Sequence, residues 1–251
     1  MCSYNREYII TNAIKSLLRQ DFDDWELIIV DDGSKDNTIN VIIEYINRFN
    51  MINNSNIADK KNKNLQFFEI ENLEIKNLDK ENIKQKISLN DSLAKDLRES
   101  NNIYYYYQEN QGVTKARNEG IELSNGKFIT FLDTDDEYKS NHLSSRVEML
   151  INEKADFLHG GVEIIGDEFV PDKNDKSKLI SIKDCVVGGT FFISSDIIRE
   201  LGSFDLVEYS DDSVFYEKVE SSNKFKIVKT NLETYIYNRN SPDSICNTLN
   251  F

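Results

Sequence analysis

WELIIVDDGSKDNT, residues 25–38, sets the reading of the whole chain. Trp25 to Val30 is a short apolar run rich in strand-forming residues, the pattern of a strand buried on both faces. It ends at Asp31-Asp32-Gly33-Ser34, where Gly33 permits a sharp turn with positive φ. Ser34 or Asp36 then caps a helix predicted from about residue 37 to residue 49, with Val41, Ile42, Ile46 and Phe49 inward. The same order returns downstream. Lys127 to Leu132 (KFITFL) predicts another buried strand, and it ends at Asp133-Thr134-Asp135-Asp136. Helices are predicted over Glu7–Gln20, Val113–Leu123 and Asn141–Ile151, and strands at Ile103–Tyr107 and Asp156–His159. Such alternation implies an α/β fold with a largely parallel sheet covered by helices on both faces. Ligands of these sheets sit beyond the carboxyl ends of the strands, which is where both acidic clusters fall.

The composition narrows the functions further. A chain of 251 residues is long enough to bury a full core. Its formal net charge of -14 repels nucleic acid and anionic lipid, and the longest basic cluster, Lys60-Lys61-Asn62-Lys63, reads as a solvated loop. Nucleic acid is therefore not an expected partner, and a phosphate-bearing substrate would call for a cation to offset the protein's own charge. Cys2, Cys185 and Cys246 are far apart and odd in number, which argues against a disulfide framework or zinc site and fits a reducing compartment. His142 and His159 are isolated and read as structural. No apolar run approaches the ~20 residues that span a bilayer, and no signal peptide opens the sequence, so a soluble protein is expected. Residues 50–102 change character: Asn, Lys, Asp and Glu dominate around a predicted strand at Leu65–Ile70 and an amphipathic helix within residues 79–100. This stretch reads as an insertion in a single domain spanning residues 1–251.

Each acidic cluster has a chemical and a bland reading. Three carboxylates within residues 133–136 repel one another unless a cation is present. Mg²⁺ and Mn²⁺ accept one or two carboxylates together with substrate phosphates, and a D-x-D after a buried strand supplies that partial shell. The alternative is a solvated acidic turn capping the next helix. Asp32 has the groups to accept bonds from a nucleobase N–H or a ribose hydroxyl, or simply to stabilise its turn.

Read together, the motifs are far more specific than any one of them. Tyr4-Asn5-Arg6, WELIIVDDGSKDNT at 25–38, NQGVTKARNEGI at 110–121, GKFITFLDTDDEY at 126–138, GGTFFISSDIIRELGSFD at 188–205, Asp211-Asp212 and a Tyr-rich strand at 233–237 follow in one order. That order and spacing resemble the family-2 glycosyltransferases of the GT-A fold, over nearly the whole chain except the insertion. The resemblance implies a Rossmann-type, mixed but mostly parallel sheet flanked by helices. It also implies inverting transfer of a sugar from a nucleotide-diphosphate donor, a UDP-sugar by family habit, in cytoplasmic assembly of a surface polysaccharide or glycolipid.

Residue by residue, Ser3 and Tyr4 match the family edge lining the base pocket, and Asp32 matches the position that reads the base, with Asp31 supporting the turn. Asn110, Gly112, Ala116, Arg117 and Asn118 match the N-x-G…ARN element. Arg117 would contact the donor, hold the D-x-D loop, or sit in a buried ion pair. Asp135 matches the direct metal ligand, Mn²⁺ or Mg²⁺, and Asp133 the carboxylate nearer the ribose and also on the metal. Gly188 and Gly189 match a glycine-bearing strand that leaves room for donor sugar or acceptor. Asp211-Asp212 matches the family's Glu-Asp pair, with Asp212 as general base and Asp211 assisting. Arg239 would reach the diphosphate, and Asn238 and Asn240 stand where some relatives carry a metal-binding His. The expected partners are the nucleotide sugar and a saccharide or lipid-linked acceptor, with peripheral association at the inner face of a membrane allowed.

Two features depart from the pattern. Family members precede Tyr-Asn with a full apolar strand, whereas only Met1-Cys2-Ser3 stands here, so the first strand is expected to be truncated and Met1 to be internal to a longer natural chain or to mark a truncated gene. A stable nucleotide-binding protein beginning at Met1 would remove that expectation. ITFLDTDD also resembles the strand and D-x-D of haloacid-dehalogenase-type phosphatases, a reading that leaves DDGS and ARN unexplained and that a phosphoaspartate would reveal. A catalytically impaired relative that binds nucleotide sugar without turnover is the other alternative. Nucleotide transfer would need a basic, Gly-rich loop near the start, and none is visible.

Overall fold

The computed structural model describes residues 1–45, 102–175, 177–207 and 209–241. The strand and helix predicted within residues 50–102, the last residues of the helix predicted to 49, and Cys246 lie outside these.

The opening sheet is the strand–helix alternation read from residues 25–38. Strand β1 (Cys2–Ser3) pairs in parallel with β2 (Glu26–Asp31), which pairs in parallel with β3 (Asn102–Tyr107). Helix α1 (Ile10–Leu17) lies between β1 and β2 in the chain, and residues 38–45 are helical and form α2. Side chains of β2 alternate between two clusters. Leu27 and Ile29 join Ile10, Ile14, Leu17 and Ile42 on one face, while Ile28 and Val30 join Tyr104 and Ala116 on the other. Both faces of β2 are thus covered, the burial that its continuous apolar run implies. Helix α3 (Val113–Leu123) supplies the second cover. A Cβ added at Gly120 would stand 3.5 Å from Val30 Cγ2, so the helix packs directly on the strand. The first strand is the two residues Cys2–Ser3, and its ladder runs on through the Val30 N–H donated to Met1 O at 2.9 Å.

The remaining strands make the fold mixed. They are β4 (Phe128–Thr130), β5 (Glu137–Tyr138), β6 (Phe157–His159), β7 (Val162–Ile165), β8 (Phe169–Pro171), β9 (Leu179–Ser181), β10 (Phe192–Ser194), β11 (Ile227–Lys229) and β12 (Tyr235–Asn238). The second sheet has the order β11-β6-β10-β4, with β10 antiparallel to both neighbours and β11 parallel to β6. β12 pairs antiparallel with β5 and parallel with β7, and β8–β9 form a separate hairpin. Helices α4 (His142–Glu153), α5 (Ser195–Leu201) and α6 (Asp211–Ser222) complete the order. An aromatic cluster of Phe131, Phe157, Phe191, Phe204 and Phe215 holds α6 against the second sheet, with Phe204 and Phe215 stacked at 4.4 Å.

Several expectations shift in detail. The strand predicted from Lys127 to Leu132 is regular only over Phe128–Thr130; Phe131 and Leu132 are buried but lie past its end. Gly188 and Gly189 stand in a 3₁₀ turn (Gly188–Thr190), not in a strand. Asp211 and Asp212 form the first turn of α6 rather than preceding it. Among the described residues, no helix is long and apolar enough to cross a membrane.

Candidate functional site

A cavity of about 950 Å³ opens where β1, β2 and β4 end, and it brings Ser3, Tyr4, Asp32, Asp133, Asp135 and Asp212 to one space. Asn110, Gly112, Arg117 and Asp211 border it as well. Elements far apart in sequence therefore converge as the motif order implies.

The corner at Tyr4 and Asp32 is built by side-chain clips between two loops. Asn5, at φ 51, accepts from Lys35 N–H, and its own N–H donates to Ser34 Oγ. Arg6 N–H donates to Thr38 Oγ1, and Glu7 accepts from Asn37 N–H. Asp36 Oδ1 accepts from Thr38 N–H at 3.1 Å at the start of α2, which favours Asp36 over Ser34 as the capping residue. Asp31 is 1% exposed and accepts from Ser34 N–H and the Tyr105 hydroxyl, so it holds the turn. Tyr4 is 43% exposed on the cavity edge; its ring is open for stacking rather than committed to the core. Ser3 is buried in β1.

Asp32 has a role the sequence did not show. Its carboxylate accepts from Gln108 Nε2 at 2.6 Å and from the Gln111 and Gly112 N–H groups at 2.8 Å each. The N-x-G loop is thereby tied to the DDGS turn. Gly112 caps α3 at φ 95 and ψ 156, a conformation essentially restricted to glycine. Its backbone borders the cavity, and a Cβ there would meet nothing within 4 Å. Gly33 needs its hydrogen too, since a Cβ would stand 2.8 Å from Asn110 N. Asn110 itself is exposed at the rim.

The D-x-D loop divides its acids. Asp133 and Asp135 are half-buried on the cavity wall, whereas Asp136 is 1% exposed and points away from it. Asp136 accepts from the Tyr235 hydroxyl at 2.5 Å and from Asn238 N–H at 2.8 Å, both on β12. Burial, then Asp133 and Asp135, push its carboxyl well above the usual range. The loop is thus pinned from behind, and two oxygen-bearing carboxylates remain on the cavity side. That donor set suits a hard divalent cation completed by substrate oxygens. Among the described residues, no group of three or more His, Cys, Asp or Glu is arranged to hold a metal alone.

Across α3 lies the second acid pair. Asp211 accepts from Arg117 Nη1 at 2.5 Å and from Thr114 Oγ1 at 2.9 Å through one oxygen, and from Asp212 N–H through the other. Arg117 is one-tenth exposed, with its guanidinium 5.1 Å from the Phe204 ring centroid and 5.7 Å from that of Phe131. Burial alone would lower the Arg117 pKa, but Asp211 and then Asp133 raise it above its ordinary value. Asp212 accepts from Gly188 N–H at 3.0 Å and from Ser213 N–H at 2.8 Å. Burial, then the Asp211 charge, push its carboxyl up to about 6 against the lowering pull of Arg117 and the two amides. One member of the pair is neutralised by an arginine, while the other borders the cavity with a pKa suited to taking a proton.

Three expected site residues fall elsewhere. Gly189 is buried, and a Cβ there would collide with the Tyr235 hydroxyl at 2.1 Å. The space its glycine leaves is filled by Tyr235, so Gly189 is not on the cavity wall and leaves no room for a sugar. Gly188 likewise makes room for Asp212, whose Cβ would be 3.1 Å away. Arg239 is 7% exposed at the end of β12, beside Gly166, and does not border the cavity. Thr114 and Tyr235 were missed in the sequence, since a lone hydroxyl carries no motif. The hairpin β8–β9, which walls the cavity with Val170, Pro171 and Ile180, was missed as well.

Comparison with known proteins follows this geometry. The family model described as Glycosyl transferase family 2 matches residues 1–66 and 88–200. The UDP-Glc:alpha-D-GlcNAc-diphosphoundecaprenol beta-1,3-glucosyltransferase WfgD of Escherichia coli is 26% identical over 229 residues, covering 89% of this chain and 69% of that protein. The GalNAc(5)-diNAcBac-PP-undecaprenol beta-1,3-glucosyltransferase of Campylobacter jejuni is 25% identical over 238 residues, covering 90% of this chain and 60% of that one. Among solved structures, S. aureus TarS 1-349 in complex with UDP-GlcNAc superposes with a TM-score of 0.64 at 17% identity, over 100% of this chain and 60% of that one. The chain therefore spans 69% and 60% of the lengths of the two glucosyltransferases and 36% of the longer TarS chain.

Proposed function

The chain belongs to glycosyl transferase family 2, and from that premise we propose that it transfers a sugar, with inversion, from a nucleotide-diphosphate sugar to an acceptor hydroxyl. The observation that carries this reading is the shared cavity. Two carboxylates, Asp133 and Asp135, line one wall, and Asp212, raised to about 6, lines another. Tyr4 stacks on the base, and Asp32 and Ser3 border it. The N-terminus of α3, opened by Gly112, faces the anionic part of the donor. Asp133 and Asp135 would hold a divalent cation, Mn²⁺ or Mg²⁺, which would offset the negative charge of the departing diphosphate. Asp212 takes the proton of the acceptor hydroxyl as that oxygen attacks C1 of the donor sugar, and the bond from C1 to the diphosphate oxygen breaks on the opposite face. Asp211 fixes Asp212 through its amide and is itself held by Arg117 and Thr114.

A UDP-sugar donor is supported by WfgD, named as a UDP-Glc-dependent glucosyltransferase, and by the UDP-GlcNAc bound to TarS. A lipid-linked saccharide acceptor, used at a membrane face, is supported by the diphosphoundecaprenol substrates of the two relatives. The test is calorimetric titration of UDP with and without Mn²⁺, repeated on Asp135→Ala. Metal-dependent binding that the substitution abolishes is expected. Binding indifferent to both metal and Asp135 would sink the assignment, and a phosphoaspartate at Asp133 would replace it with a phosphatase.

A further inference from the structure

A second cavity of about 590 Å³ adjoins the first and shares Asp184, Tyr216 and Glu220 with it. The two also share Cys185 and Val186, and α6 lines both. Asp212, Tyr216 and Glu220 are four residues apart and share a helix face, so this lining extends from the proposed base to Glu220 over about 12 Å. That length exceeds a single pyranose ring. We propose that this second cavity is an acceptor subsite for neutral saccharide, holding the sugar units beyond the one whose hydroxyl reacts. The proposal rests on Asp212 being the base.

The lining chemistry selects the ligand class. Tyr216 and Phe225, half-buried against the aromatic core cluster, line it with rings, the side-chain type on which the apolar face of a pyranose packs. The Tyr216 hydroxyl is fixed by donation to Glu220 Oε1 at 3.1 Å, and its ring lies 4.9 Å from that of His159. Glu220, Asp184, Asn223 and Lys229 present acceptors and donors together, which suits hydroxyls that do both. Two carboxylates against one ammonium, in a chain of net charge -14, disfavour a phosphate-bearing ligand there. His159 adds no charge, because burial, then Lys229 and Arg146, lower its pKa to about 4. It is 6% exposed, borders the cavity, and its Nδ1 has no hydrogen-bond partner among the described residues.

The test uses a glycan array of immobilised neutral mono- to tetrasaccharides probed with the labelled whole chain. Dissociation constants follow for every retained glycan with the parent, Tyr216→Ala, Tyr216→Phe and Lys229→Ala, and each protein is also titrated with UDP. Lys229 is exposed, so its variant keeps the fold where loss of the Tyr216 ring disturbs packing. Retained glycans are expected to contain two or more units. Tyr216→Ala should weaken them at least tenfold and Lys229→Ala about threefold, with Tyr216→Phe close to the parent and UDP affinity unchanged. No retained glycan, retention of monosaccharides alone, or equal affinity across the variants overturns the proposal. UDP binding without length-dependent glycan binding leaves the donor reading standing and removes the subsite. Length-dependent, variant-sensitive binding without UDP affinity supports the subsite and removes the donor reading.

Discussion

At Asp212 two opposing influences meet: burial and the Asp211 charge raise its pKa, while Arg117 and two backbone N–H groups lower it, and the balance falls at about 6. A base in that range is ionised at neutral pH yet basic enough to take a hydroxyl proton as the bond forms. Asp212→Asn is therefore expected to lower kcat by ~100-fold or more while UDP binding persists, as steady-state kinetics with calorimetry will read. In the parent, kcat/KM should fall on the acid side with an apparent pKa near 6. Arg117→Met removes a lowering influence, so that limb should move to higher pH, and Arg117→Lys should restore part of its position. An unchanged acid limb in Arg117→Met would show that the arginine serves packing against Phe131 and Phe204 alone.

Between elements, a single buried arginine does what no motif announced. Arg146 on α4 is 0% exposed and donates to Thr234 Oγ1 and to the carbonyls of Thr190, Gly160, Gly161 and Leu232. It joins the 3₁₀ turn before β10, the β6–β7 turn and the segment entering β12, and burial lowers its pKa to about 10. Arg146→Leu leaves those carbonyls without their donor, and a loss on the order of 3 kcal/mol in urea unfolding is expected. A loss under about 0.5 kcal/mol would mean the turns are held by other contacts. The same case marks the boundary of what the sequence tells. β2, α3 and the acidic turns were legible because periodicity and strand-end position are local properties. Val113–Leu123 was bounded to the residue, since Gly112 caps it and Ser124 leaves the helix extended. The antiparallel placement of β10, the Tyr235 ring filling the space at Gly189, and the retreat of Arg239 from the cavity depend on what lies across the fold. A glycine pair reads the same whether it admits a ligand or a tyrosine.

Over the whole molecule, acid stability combines groups of opposite sign. His142 and His159 are buried with lowered pKa values, caused first by desolvation, the former far below 6.5 and the latter at about 4. The unfolded chain binds their protons first, so their contribution is complete above pH ~6.5 and is lost as pH falls, for His159 toward about 4. Asp212 acts the other way: folded, it takes its proton near pH 6, whereas unfolded it does so near 3.8, so it favours the folded state as pH falls through that window. Urea unfolding at pH 6.5, 5.5 and 4.5 should show Asp212→Asn losing stability more steeply on acidification than the parent, and matching slopes would refute the pKa assignment. The anchor of Asp136 on Tyr235 and Asn238 carries a consequence for biosynthesis. The ribosome delivers every acid of the D-x-D loop about a hundred residues before it delivers β12. Until then the nascent loop holds three mutually repelling carboxylates without the Tyr235 and Asn238 donors that hold Asp136, so the loop reaches its folded form only after residue 238 has left the exit tunnel.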